Sequence, residues 1–208
     1  MGPSGSGPTP VTVFSQNFDA AGYVPTSQFT TYPASNAPTL SLDGSHFLSA
    51  PESLMVSGGT SGTTDFCGVY VPFSYSGGDY YFSATLYYAK FTDLGGALAE
   101  FIFAYQEKIL ADVGYDPSSG SLYTCNSPTR VSIANGININ NFHTLLLAYH
   151  GSTGLSDVTV DGLLLAQNVN ALETAAPGIG GAYAGIYFPL GVAAGNYVDI
   201  DNFEIYHY

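Results

Sequence analysis

The chain closes on YVDIDNFEIYHY, and this stretch carries the carboxylates whose spacing could do chemistry: Asp199, Asp201 and Glu204. Oxygen ligands of this kind suit a hard cation such as calcium. The pattern around them is irregular. Val198 and Ile200 share one parity and Phe203 and Ile205 the other, although all four read as core residues. A β-bulge at Asp201-Asn202 would absorb the extra residue and re-aim the carboxylates beside it. A second set of candidates is aromatic. In YYFSATLYYAKF, Tyr81 and Tyr87 fall on the polar face of a strand. A tyrosine ring there can stack on the C–H face of a sugar while its hydroxyl bonds ligand or water; the plainer alternative is that outward tyrosines suit a pleated surface. His143 and His150 differ in parity on their segment, so they do not form a ligand pair. No Ser-His-Asp spacing, phosphate loop or thiol motif is present.

Composition narrows what such residues would act on. The 208 residues are 46% hydrophobic and only 9% charged, with a formal net charge of -13. The basic residues are Lys90, Lys108 and Arg130, three against 16 acids. Such a chain cannot neutralise a phosphate backbone, which excludes nucleic acid as a partner. No run has the length of a membrane-spanning helix, so membrane insertion is not expected. Cys67 and Cys125 are the cysteine pair. With a surface rich in Gly, Ser, Thr and Tyr, they are expected to form a disulfide in a secreted or cell-surface protein, a buried reduced pair being the alternative. The opening MGPSGSGPTP reads as a flexible linker, a tag scar or an N-terminal arm (residues 1–10), without the charged and apolar pattern of a signal peptide.

The elements that must position these residues are strands. In YYFSATLYYAKF, Phe82, Ala84, Leu86 and Tyr88 share one face, and Tyr81, Ser83, Thr85 and Tyr87 the other. That period of two marks a strand with one buried and one wet face. Further strands are expected at VTVFSQNF, TLSLDG, SLMVSG, DFCGVYVPF, ALAEFIFAYQ, FHTLLLAYH, AYAGIYFPL and the closing stretch. LSDVTVDGLLLAQ reads as a hairpin turning at Asp161-Gly162. No segment gives an amphipathic helix. Many short strands with 25 Gly and 12 Pro between them predict a single all-β domain over residues 11–208, a β-sandwich or barrel.

Four segments, in order, carry a family resemblance. FSQNFDAAGYVP resembles the N-x-F-(D/E)…G…P opening of concanavalin A-like and laminin-G-like jelly-roll domains, which include carbohydrate-binding modules. ESLMVSGG is similar to their next strand, NFHTLLLAYHGSTGLSDVTVDGLLLA to their V-D-G hairpin, and YVDIDNFEIY to their closing strand. Tyr23 and Phe142 stand where the family usually has Trp, a residue this chain lacks. The resemblance implies a two-sheet antiparallel jelly roll whose first and last strands lie side by side. It also implies a structural calcium ion at that seam, carried by Asp19 and Asp201 with Asn17 and Asp199. DIDNFE loosely resembles the E-I-D-x-x-E catalytic strand of jelly-roll glycosidases, which would make Asp199 the nucleophile and Glu204 the acid/base. Asp in place of Glu, the terminal position of the strand and the missing Trp count against that assignment. GAYAGIYFPLG resembles the last strand of jelly-roll alginate lyases but lacks its Lys and Gln, and reads as core.

The leading expectation is a non-catalytic extracellular module that binds polysaccharide or glycan through Tyr81 and Tyr87. The alternative is a structural or adhesive subunit of a surface assembly or filament, self-associating through the N-terminal arm by strand addition. A jelly-roll glycoside hydrolase is third.

Overall fold

A computed structural model describes residues 9–32, 37–58, 67–87, 99–116, 119–126, 129–137, 141–171, 178–188 and 197–208. All the regular elements except one short 3-10 turn are strands, and they build two antiparallel sheets. The strands are β1 (Val11–Gln16), β2 (Thr30–Tyr32), β3 (Thr39–Asp43), β4 (Ser53–Ser57), β5 (Cys67–Phe73), β6 (Tyr80–Tyr87), β7 (Ala99–Tyr105) and β8 (Lys108–Asp116). They continue with β9 (Ser121–Asn126), β10 (Thr129–Ala134), β11 (Phe142–His150), β12 (Leu155–Val160), β13 (Leu163–Val169), β14 (Ala182–Phe188) and β15 (Tyr197–His207). The first sheet runs β13-β12-β11-β6-β15-β4-β3, with β1 also paired to β15; the second runs β10-β9-β8-β7-β14-β5-β2. The fold is the expected jelly-roll sandwich of the concanavalin A-like type.

The period-two patterns decide what lies between the sheets. Phe82, Ala84 and Leu86 of β6 are fully buried, as are Val198, Ile200, Phe203 and Ile205 of β15. From the other sheet, Phe101, Phe103, Ala184, Ile186 and Phe188 close the same core. Phe82 stacks on Phe103 across the sheets, ring centroids 4.5 Å apart. Tyr88, expected on this face, lies outside the described residues, as do residues 1–8 of the N-terminal segment.

The two parities of β15 are reconciled as the sequence requires. Its register against β6 slips between Asp201 and Phe203. Asn202 takes the left-handed conformation, φ 53°, that absorbs the extra residue. The β12–β13 turn is Asp161-Gly162, with φ of 50° and 80°, the geometry of a tight I′ hairpin. β1 and β15 are neighbours, Val11 opposite His207 and Gln16 opposite Phe203. The AYAGIYFPL stretch is core, Ala184 at 0% and Ile186 and Phe188 at 1% exposure.

One expectation is corrected. Cys67 opens β5 and Cys125 lies in β9 of the same sheet, with β14, β7 and β8 between them. Four strand spacings make roughly 19 Å, whereas a disulfide needs Cα atoms within about 7 Å. The Cys67–Cys125 bridge therefore does not form within the chain. Neither the order of the strands nor the register, which puts Cys67 in the row of Leu122 and Cys125 three residues further along β9, allows the pair.

Candidate functional site

On the first sheet, the residues that do not enter the core form an outer face. Register places them in rows. Tyr206 of β15 stands opposite Tyr81 of β6, which faces Ala148 of β11. Glu204 stands opposite Ser83 and then Leu146; Asp201 opposite Thr85 and then Thr144; Asp199 opposite Tyr87 and then Phe142. Aromatic rings therefore occupy the two ends of β6. At one end Tyr81 and Tyr206 lie parallel, 5.1 Å apart and 5° between planes, with Tyr208 edge-on to Tyr81 at 5.2 Å. At the other, Tyr87 packs against Phe142 at 5.1 Å and stacks on His46 at 4.8 Å. Tyr81 and Tyr87 are six residues apart on one strand, which spans roughly 20 Å. Between them the floor holds Ser83, Glu204 and Leu146, and a buried Thr85 bonded to Thr144 through their hydroxyls at 2.9 Å.

Tyr81, Tyr87, Phe142 and Tyr206 are each partly exposed. Burial pushes the phenols of Tyr81 and Tyr206 above the ordinary tyrosine range, helped at Tyr81 by the charge of Asp79. Both remain neutral hydroxyls that can donate as well as accept hydrogen bonds.

The Tyr87 end is roofed by the segment between β3 and β4, residues 44–52. Two fully buried carboxylates lie under it, Asp199 and Asp201, each 0% exposed. Asp201 is fully engaged: Leu48 N–H and Ser49 N–H donate to its Oδ2 at 2.7 and 2.8 Å, and the Ser49 hydroxyl donates to its Oδ1 at 2.8 Å. Asp199 has no hydrogen-bond partner on either oxygen. His46 Nδ1 lies 3.8 Å from its Oδ2. Burial, with the nearby charge of Asp43, raises its pKa to about 8, so at neutral pH it is a carboxylic acid. His46 is placed by Asp43, whose Oδ2 lies 2.8 Å from Nδ1 and whose Oδ1 accepts from Ser45 N–H at 2.7 Å. Burial works to raise the pKa of Asp43, but the bonds from His46 and Ser45 outweigh it and hold the carboxyl below the usual range.

Asn17 and Asp19 form a separate pair at the end of β1. The Asn17 amide donates to Asp19 Oδ2 at 2.8 Å, and Asp19 Oδ1 is buried without a partner. The structure thus sorts Asn17, Asp19, Asp199 and Asp201 into different bonding groups. Among the described residues, no hydrogen bond joins Asn17 and Asp19 to Asp199 and Asp201. Asp201 accepts from N–H and O–H donors on both of its oxygens. His143 and His150 are held apart as their parity implies, His143 by Asp161 at 2.8 Å and His150 by Asp157 at 3.2 Å. Asp43 and His46 carried no motif in the sequence. Their role comes from the Asp-x-x-His spacing, which lets a turn fold back onto its own carboxylate.

The outer face of the second sheet is closed. Ile102, Ala104, Ile109 and Tyr183 form a second buried cluster, packed against by Tyr70, Ala171, Ile179 and Tyr187. Glu100 and Asp112 are buried on this face.

No protein-family model and no curated protein sequence matches the chain. Solved structures do resemble it in fold. A carbohydrate esterase from the Shiga toxin-encoding bacteriophage phi24B superposes with a TM-score of 0.61 at 9% identity, over 95% of this chain and 99% of that one. The cellulose-induced protein Cip1 gives 0.57 at 18% identity, over 92% and 96%. An endo-acting O-glycanase of the human gut microbiota gives 0.57 at 12% identity, over 94% and 98%. At such identities the likeness establishes the jelly-roll fold that the four sequence segments imply.

Proposed function

We propose that the chain is a non-catalytic glycan-binding module of a secreted or cell-surface protein, and that the outer face of the first sheet is its binding surface. The observation that carries this reading is the pair of aromatic clusters on β6, around Tyr81 and around Tyr87, with hydroxyls and a carboxylate between them. The span of roughly 20 Å suits an extended oligosaccharide with a ring stacked at each end and hydroxyls bonded along the floor. The net charge of -13, with Glu204 on the floor itself, favours neutral over acidic polysaccharides. Several fold neighbours act on carbohydrates, as the esterase and the O-glycanase do.

The non-catalytic part rests on the carboxylates. A retaining glycosidase needs an ionised, accessible nucleophile. Asp199 is buried, protonated at neutral pH and covered by the His46 segment. Glu204 is exposed, flanked in its row by Ser15, whose hydroxyl donates to it at 3.5 Å, and by Ser83 and then Leu146. A structural calcium ion at the β1–β15 seam belongs to the same proposal, with Asp19 as the side chain that supports it through its partnerless Oδ1.

NMR titration with soluble neutral oligosaccharides tests the reading. Shifts are expected along β6, β11 and β15, with affinities of about 10⁻³ to 10⁻⁵ M that improve with chain length. Tyr81→Ala and Tyr87→Ala should each weaken binding about tenfold, within the range of one stacking contact. No shift on this face with any glycan would end the proposal. One observation favours the self-associating alternative: edge strand β13 exposes Leu163 at 65% and Leu164 at 51%. A polymer that dissolves on deleting residues 1–10, with no glycan response, would decide for it.

A further inference from the structure

Three side chains of metal-ligand type, from two stretches of chain far apart in sequence, meet at the residue 44–52 segment. They are Asp43 at the end of β3, His46 in the segment and Asp199 in β15. One donor atom from each lies within 4.8 Å of the others. His46 Nδ1 is 2.8 Å from Asp43 Oδ2 and 3.8 Å from Asp199 Oδ2. Asp199 is 0% exposed, and neither of its oxygens has a hydrogen-bond partner. A buried polar group left in this way calls for a compensating partner. No basic side chain supplies one among the described residues, since Lys108 and Arg130 both stand on the second sheet.

We propose that Asp43, His46 and Asp199 are the protein ligands of a divalent transition-metal ion, with zinc the ion their chemistry suits best. The set is one imidazole nitrogen and two carboxylate oxygens. Zinc takes such donors at about 2.0–2.2 Å, in sites that place them roughly 3.4 Å apart. The two distances to His46 bracket that separation, and side-chain rotation closes the rest. Calcium and magnesium prefer all-oxygen cages and are disfavoured by the imidazole. As a ligand, Nδ1 exchanges its contact with Asp43 for the metal, and the ring proton resides on Nε2. Three protein ligands leave a fourth place for water or a ligand hydroxyl, on the side where the His46 side chain is 35% exposed. The ion would tie the segment to β15. Because the His46 ring stacks on Tyr87, it would also fix the platform at one end of the outer face.

The test uses the whole chain stripped with a chelator and dialysed free of it. Calorimetric titration with zinc chloride should give one ion per chain, bound at least about tenfold tighter than calcium. Cobalt(II) should show the visible bands of a four-coordinate site. His46→Gln and Asp199→Asn should each weaken zinc by about tenfold or more with the fold intact by circular dichroism, while His143→Gln and His150→Gln leave it unchanged. Absence of zinc binding, binding unaffected by His46→Gln, or calcium bound more tightly than zinc would each overturn the assignment. If Asp199→Asn does not fold, the His46→Gln result decides alone, since that ring lies on a connecting segment outside the core.

Discussion

Asp199 and Asp201 sit two residues apart on one face of one strand, and both are fully buried. Their surroundings are nonetheless opposite. The bulge turns Asp201 toward the backbone of Leu48 and Ser49, which meet its carboxylate with three donors. Asp199, at the regular end of the strand, faces a histidine 3.8 Å away and a second carboxylate. Burial alone therefore does not determine what a carboxylate does. Donors supplied by a neighbouring segment make one a structural clamp, and their absence leaves the other a strained acid or a ligand in waiting.

The largest expected effect is at the clamp. Asp201→Ala strips the acceptor from two backbone N–H groups and one hydroxyl and frees the segment from the sheet. Breaking one side of a buried charged network costs about 3–5 kcal/mol, a fall in Tm of about 10 °C for a domain of this size. Thermal melts followed by circular dichroism measure it. A loss under about 1 kcal/mol would mean that the segment is held by something other than Asp201.

Asp199→Asn should act with the opposite sign. The folded pKa of about 8 lies above the ordinary carboxylate value near 3.9. Between these values the folded state holds a proton that the unfolded state has released, so stability falls as pH rises from about 4 to about 8 and then levels. Asparagine keeps the shape without this burden. In chelator the variant should match the wild type near pH 4 and exceed it at pH 8 by a few kcal/mol, about 5–10 °C in Tm. Superimposable pH profiles for the two proteins would show that Asp199 is not the strained group. Saturating zinc sharpens the contrast, because it should stabilise the wild type more than the variant.

Sequence and structure agree where local pattern decides the outcome. The bulge at Asp201-Asn202 follows from the parity change between Ile200 and Phe203, and the Asp161-Gly162 turn follows from residues that tolerate positive φ. The hairpin of β7 and β8 carries no such signal. Its turn is Gln106-Glu107, with φ of 50° and 64°, which neither residue type advertises. That is why β8, β9 and β10 are not legible between ALAEFIFAYQ and FHTLLLAYH. Tyr81 and Tyr87 can be placed on the wet face from parity, but not their partners. Tyr206 and His46 arrive from residues distant in the chain, and only strand order brings them there. The disulfide expectation fails for the same reason: count and composition are local, and the order β9-β8-β7-β14-β5 is not.

The smallest expected effect tests whether the two carboxylates differ only in their donors. Ser49→Ala removes one of the three donors to Asp201, the hydroxyl 2.8 Å from Oδ1, and leaves both N–H bonds to Oδ2. One lost bond of this kind costs about 1–2 kcal/mol, or a few degrees in Tm. With Oδ1 stripped, Asp201 moves part of the way toward the condition of Asp199, a buried oxygen with nothing donating to it. Asp199→Asn in the same background should add its own effect independently, because the two groups draw on separate donors. A Ser49→Ala loss indistinguishable from zero in the thermal melt would show that the backbone N–H groups alone hold the Asp201 carboxylate, and that the contrast between the two aspartates lies in the segment's main chain rather than in its hydroxyl.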